Sequence, residues 1–267
     1  ALTTNSNGGN NTAVGFEALV ANTTADNNTA MGYAALAANT TGYENTAVGQ
    51  GALDANTTGI VNTAVGVGAL GSNTTAARNT AVGKEALRDN TTGERNTSVG
   101  HDSLLVNSTG SYNSALGQNA LAANTTATHN TGIGYNALAS NTTGAENTAL
   151  GATALDANTT GSYNVAVGRH ALGANTTGQK NVAVGGNALL SNVTGESNTA
   201  VGYNALDANI ADNNTAVGYH SMLVSTTGNT NTAVGNETLE TNSTGSQNVA
   251  IGFQALHANT TGTFNTA

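Results

Sequence analysis

Apolar residues recur along this chain in a single spacing, renewed every 17 residues. Counted from an asparagine as position 1, the unit reads Asn-Thr-Ala-Val-Gly-x-x-Ala-Leu-x-Ala-Asn-Thr-Thr-Gly-x-x. Position 4 is aliphatic in every copy, from Val14 and Met31 to Ile251, and position 9 is leucine in all but the one copy that carries Met222. Position 5 is always glycine. A short fixed period marks a stacked array whose units cannot bury an apolar side alone. Gly, Asn and Thr, all weak helix formers, are too frequent for a helical repeat. Positions 1–4 instead predict a short strand closed by the position 5 glycine. Positions 12–14 predict a second short segment closed by Gly or Ala at position 15, with Gly and Asn supplying left-handed corners. The expected fold is all-β, a β-solenoid of 17-residue coils paired in register at ~4.8 Å.

The array is expected to run as one domain over residues 1–267, with fifteen repeats over 11–264 and partial repeats at 1–10 and 265–267. With a partial repeat and no polar cap at either end, it reads as part of a longer array or as a subunit stacked end to end. One repeat, 198–213, has 16 residues, and the loss falls between positions 12 and 17, in the second turn. Fifteen coils at that spacing would make a rod roughly 70 Å long.

Strand side chains alternate between two faces. With the aliphatic residue turned inward, Val14, Leu19, Val48, Leu53, Val82 and Leu87 are expected to form the interior column. Position 3 then points outward, yet it is Ala in thirteen copies, Ser98 in one and Gly132 in one. A strand restricted on both faces is expected to be covered on both. Ala47, Ala64 and Ala81 are therefore assigned to contact with a sister chain, in a homotrimer or an end-to-end filament. The asparagines at positions 1 and 12 are expected to stack as amide ladders. Position 12 also creates Asn-x-Thr/Ser glycosylation patterns, but glycans ~5 Å apart would collide.

Composition narrows the partners. The chain has a net charge of −9 with only 8% charged residues, and no Cys, Pro or Trp. No basic stripe suggests nucleic acid. No run of 18 apolar residues suggests a membrane span. Cysteine chemistry is ruled out. The low charge and strict aliphatic register argue against a disordered chain.

The run Asn-Thr-Ala-Val-Gly, followed by Ala-Leu and Asn-Thr-Thr-Gly, resembles two groups of repeats. One is the head repeat of trimeric autotransporter adhesins, with an Asn-Ser-x-Ala-Ile-Gly-like pattern. The other, closer in wording, is the repeat of phage and bacterial tail-fibre-like proteins, often found ahead of a self-cleaving C-terminal chaperone. The resemblance covers nearly the whole chain and departs in length, since adhesin head repeats are shorter than 17 residues. It implies a left-handed parallel β-roll, a homotrimer, and an extracellular, cell-surface or virion location. It also implies a surface glycan or host receptor as partner, and it brings no catalytic motif.

Candidate chemistry is sparse. Consecutive His101-Asp102-Ser103 cannot adopt triad geometry. Glu85 and Asp102 occupy position 7 of successive repeats, the spacing of a glycosidase carboxylate pair, but two solvated acids are the expected reading. His170 and His220 share position 7 three coils apart, too far to share a metal. Arg78, Lys84, Arg88 and Arg95, with Glu85, Asp89 and Glu94, are expected to form a surface salt-bridge patch. No catalytic, cofactor or metal residues are assigned. The expected function is a non-enzymatic structural or adhesive fibre. The alternatives are an ice-binding solenoid using the Thr columns at positions 13 and 14, and a glycan-degrading tail spike.

Overall fold

Every repeat forms the same strand and first turn in the computed structural model, which describes all 267 residues, and only the shortened repeat 198–213 differs in its second turn. Positions 2–4 form a three-residue strand, and the rest of the coil is turn and bend. Fifteen such strands, β1 (Thr12–Val14) to β15 (Val249–Ile251), follow one another with no helix between them. The chain falls into two compact units, Ala1–Gly132 and Ile133–Ala267, the division lying inside β8 (Thr131–Ile133). Within the first unit β1 to β7 (Ser114–Leu116) pair parallel in chain order, and within the second β9 (Thr148–Leu150) to β15 do the same. Both units are parallel β-solenoids, and like always pairs with like: Thr46 with Thr63, Ala47 with Ala64, Val48 with Val65.

Backbone bonds join neighbouring coils well beyond the strands. The position 9 N–H donates to the position 8 carbonyl of the next coil, as from Leu19 to Ala35 at 3.0 Å. The position 13 N–H donates to the position 13 carbonyl of the next coil, as from Thr40 to Thr57 at 3.0 Å. Coils this short thus satisfy most of their backbone through their neighbours, as buried peptide groups require.

The corners are only partly where glycine predicted them. Position 5 glycines take φ between 121° and 142°. A Cβ on Gly134 would lie 2.5 Å from the carbonyl oxygen of Gly151 in the next coil. Glycine is therefore required there twice over, by conformation and by close approach. Position 15 glycines such as Gly42 do not have positive φ; the left-handed residues of the coil sit at positions 7, 9 and 17, as in Glu85, Leu87 and Arg95. None of these needs glycine, although each left-handed L-residue costs about 1–2 kcal/mol.

The interior register is the reverse of the sequence expectation. Ala47, Ala64 and Ala81 are fully buried inside their own coils, so they are not available to a sister chain. Position 4 points outward: Val14 is 55% exposed, and Val48 and Val82 are half-buried. Leu19, Leu53 and Leu87 are buried as expected. The cause is width. Each coil closes around Ala at positions 3 and 8, Leu at position 9 and two asparagine amides, and this filling leaves room for one large side chain per coil. Where position 3 becomes Ser98, position 8 is Ser103, and the two buried hydroxyls bond each other across the interior.

Candidate functional site

The coil presents two kinds of surface, and both follow from its register. On the strand side, positions 2 and 4 project outward. Position 2 is Thr, Ser114 or one of Val165, Val182 and Val249, and neither position holds a charge in any repeat. Within each unit this gives a column of hydroxyls and methyls beside a column of aliphatic side chains. Met31, Leu116, Leu150 and Ile251 are 44%, 50%, 45% and 63% exposed. Two residues along a strand span ~6.6 Å, and adjacent strands lie ~4.8 Å apart, so the face is a regular apolar grid.

On the turn side, positions 6, 7, 10, 16 and 17 carry all the aromatic, basic and histidine side chains. Phe16 stacks on Tyr33 at 5.6 Å between centroids, and Tyr112 on His129 at 4.9 Å. The expected salt-bridge patch forms in part. Glu85 accepts from Lys84 (3.4 Å) and Arg88 (2.8 Å), and Arg88 also reaches Asp89 (2.8 Å). The Arg88 guanidinium holds the Asp89 carboxyl below its usual range. Arg95 turns away to the Tyr112 hydroxyl at 2.7 Å and lies 5.3 Å from its ring centroid. These exposed pairs add little stability.

The other candidate chemistry is dispersed. His101 Nδ1 lies 3.0 Å from Asp102 on the surface, while Ser103 is turned into the coil, so the three make no triad. Glu85 is paired with Lys84 and Arg88, and Asp102 faces the His101 ring, so the two carboxylates are engaged separately. At position 10, Asp54, Asp156 and Asp207 have their carboxyls pushed up by burial. The surface carries no pocket, and no helix is long and apolar enough to cross a membrane.

The asparagine ladders are present in both units and explain the invariant position 1 and the position 12 column, which departs from Asn only at Ser225. Position 1 Oδ1 accepts the next coil's backbone N–H, as from Asn45 to Asn28 at 3.0 Å. Position 12 Nδ2 donates to the preceding position 12 amide, as from Asn56 to Asn39 at 2.8 Å. Both also donate to the position 15 carbonyl of their own coil: Asn45 and Asn56 meet at Gly59, at 2.8 and 3.0 Å. The second ladder breaks near the short repeat. Asn209 bonds to Ala211, two residues on, and the Asn192 Oδ1 and the Ser225 hydroxyl are buried without a partner. Strand register survives the deletion, Thr199 pairing with Thr215.

The threonine columns at positions 13 and 14 are unequal. Position 13 hydroxyls are half-buried and donate to the next coil, as Thr57 does to the Thr74 carbonyl at 3.1 Å. Position 14 threonines such as Thr41 and Thr58 are exposed, so one of the two columns of the ice-binding alternative is open and the other is partly withdrawn into inter-coil bonds.

Sequence reasoning missed one cluster. Glu240 Oε2 lies 2.7 Å from His257 Nε2, and its Oε1 lies 3.6 Å from His220 Nδ1. Positions 7 and 10 flank one turn, so columns that look separate in sequence converge between adjacent coils. Comparing histidines only within a column, as with His170 and His220, hides this.

No model of a known protein family matches the chain, and no curated protein is significantly similar to it.

Proposed function

We propose that this chain is a segment of a non-enzymatic structural or adhesive fibre, displayed on a cell surface or virion, that associates with copies of itself through the strand face. One observation carries the reading: position 4 is aliphatic in all fifteen repeats although it points out of the coil. A solvated position would drift to polar residues, and a regular uncovered apolar column is a contact surface. A second copy suits it because the copy offers the same grid at the same repeat, with no charge to desolvate. This moves the proposed contact from position 3 to positions 2 and 4, and a homotrimer is the assembly to test. The resemblance to tail-fibre and adhesin repeats points the same way.

Sedimentation and native mass spectrometry test it. The parent chain is expected to be trimeric. The double variant Val48→Lys/Val82→Lys is expected to be monomeric, with the coil fold retained by circular dichroism and only the stabilisation contributed by assembly lost. A parent chain that stays monomeric at high concentration overturns the reading.

The same face favours a second reading, ice binding, through its flat array of Thr hydroxyls and methyls. Thermal hysteresis by the parent chain, abolished in Thr46→Lys/Thr80→Lys, would establish that function instead.

A further inference from the structure

We propose that Glu237, Glu240 and His257 form a binding site for a divalent transition-metal ion, of the Zn2+ class, between two consecutive coils of the second unit. Their ligand atoms all lie within 4.8 Å of one another, and all three side chains are half-buried. Glu237 and Glu240 come from positions 7 and 10 of one coil. His257 comes from position 10 of the next, so the turn geometry brings two carboxylates and an imidazole to one point. Zinc bonds to His nitrogen and carboxylate oxygen are ~2.0–2.2 Å long. Ligand atoms around one ion therefore stand a little over 3 Å apart, and side chains exposed at their tips reach that spacing by small torsional changes. The 2.7 Å contact of His257 with Glu240 would open to admit the ion. An imidazole ligand favours zinc and its neighbours over calcium or magnesium.

Two neighbours hold the carboxylates in place. Gln254 Nε2 donates to Glu237 Oε2 at 2.8 Å. His220, one coil earlier, approaches the second oxygen of Glu240 and is itself fixed by stacking on Tyr219, with 3.8 Å between ring centroids, and by the Asn204 amide 3.4 Å from Nε2. Such supporting partners orient metal ligands and tune their affinity. Gln254 and His220 are positioning residues. The ion would tie coils 231–247 and 248–264 together, just past Ser225, where the amide ladder has its gap.

Equilibrium dialysis of the full chain against Zn2+, with Co2+ absorption as a spectroscopic readout, tests the site. The expected result is one tightly held Zn2+ per chain and a Co2+ spectrum of a low-coordinate nitrogen and oxygen site. His257→Ala or Glu240→Gln should weaken Zn2+ binding at least about tenfold. His101→Ala, which removes a histidine–aspartate contact elsewhere, should leave binding unchanged. Circular dichroism of each variant without metal shows whether the coil is intact. Zn2+ uptake that is absent in the parent chain, or equal in the parent and folded His257→Ala, overturns the proposal.

Discussion

The strand and the turn of one coil treat adjacent side chains in opposite ways. In the strand, small Ala47 is buried and larger Val48 looks outward. In the turn, Ala52 and Leu53 are both buried. Strand alternation forces a choice between neighbours, whereas left-handed φ at Leu53 (53°) lets consecutive turn residues enter together. The interior is thus sorted by volume. One leucine per coil faces small residues, the large-against-small packing that fills a narrow core. Hydrophobicity alone does not tell which residues are inside.

The largest expected effect contrasts the two limbs directly. Leu87→Asp places an unpaired charge in the interior and should abolish the thermal transition of the first unit. Val82→Asp, at concentrations where the chain is monomeric, should shift stability by less than about 1 kcal/mol. Circular dichroism melts of the two variants measure this, and equal damage would break the assigned register. Next, Ala47→Leu should cost at least ~1–3 kcal/mol by overpacking, visible in a urea titration at concentrations where the chain is monomeric. If only assembly changes, position 3 is an outer face after all.

A smaller gain is expected where the turn limb is imperfect. Ser225→Asn restores a ladder amide between Asn209 and Asn242 and should stabilise the second unit by about 1 kcal/mol. Slower hydrogen exchange in coils 198–247 would show it, and unchanged exchange would count against the gap as a weak point. The smallest effect concerns the half-buried acids of the turn. The raised pKa of Asp207 means that its favourable contribution is complete below the unfolded carboxylate pKa and is lost as pH rises through the folded value. Asp207→Asn should flatten that part of the stability-versus-pH curve and raise the melting temperature slightly at neutral pH. An identical pH curve in parent and variant would contradict the burial of this carboxyl.

The period made the fold class legible, because only stacked coils reconcile a 17-residue repeat with Gly and Asn in fixed columns. The amide ladders, the position 5 corner and the buried leucines were legible for the same reason. The strand register was not, since Val and Ala alternate whichever face is inner. The signal that could decide it was the size ceiling at position 3: an inner wall excludes volume, while an outer contact tolerates exchange. The left-handed conformations of Leu87 and Glu85 were hidden because inter-coil bonds, not residue type, impose them. The cluster around Glu240 was hidden because it joins two columns across a turn.

The ladders also bear on how such a chain ages. Asparagine is a labile residue in long-lived proteins, because the backbone nitrogen of the following residue can attack its side-chain carbonyl and expel ammonia. In these columns that nitrogen is already committed. The Thr46 N–H donates to the Asn62 carbonyl at 2.8 Å, and the Thr57 N–H to the Thr74 carbonyl at 2.9 Å. The amides themselves are buried. Chemical damage is therefore directed to exposed asparagines outside the ladders, and the repeated asparagines, numerous as they are, form the chemically quiet part of the molecule.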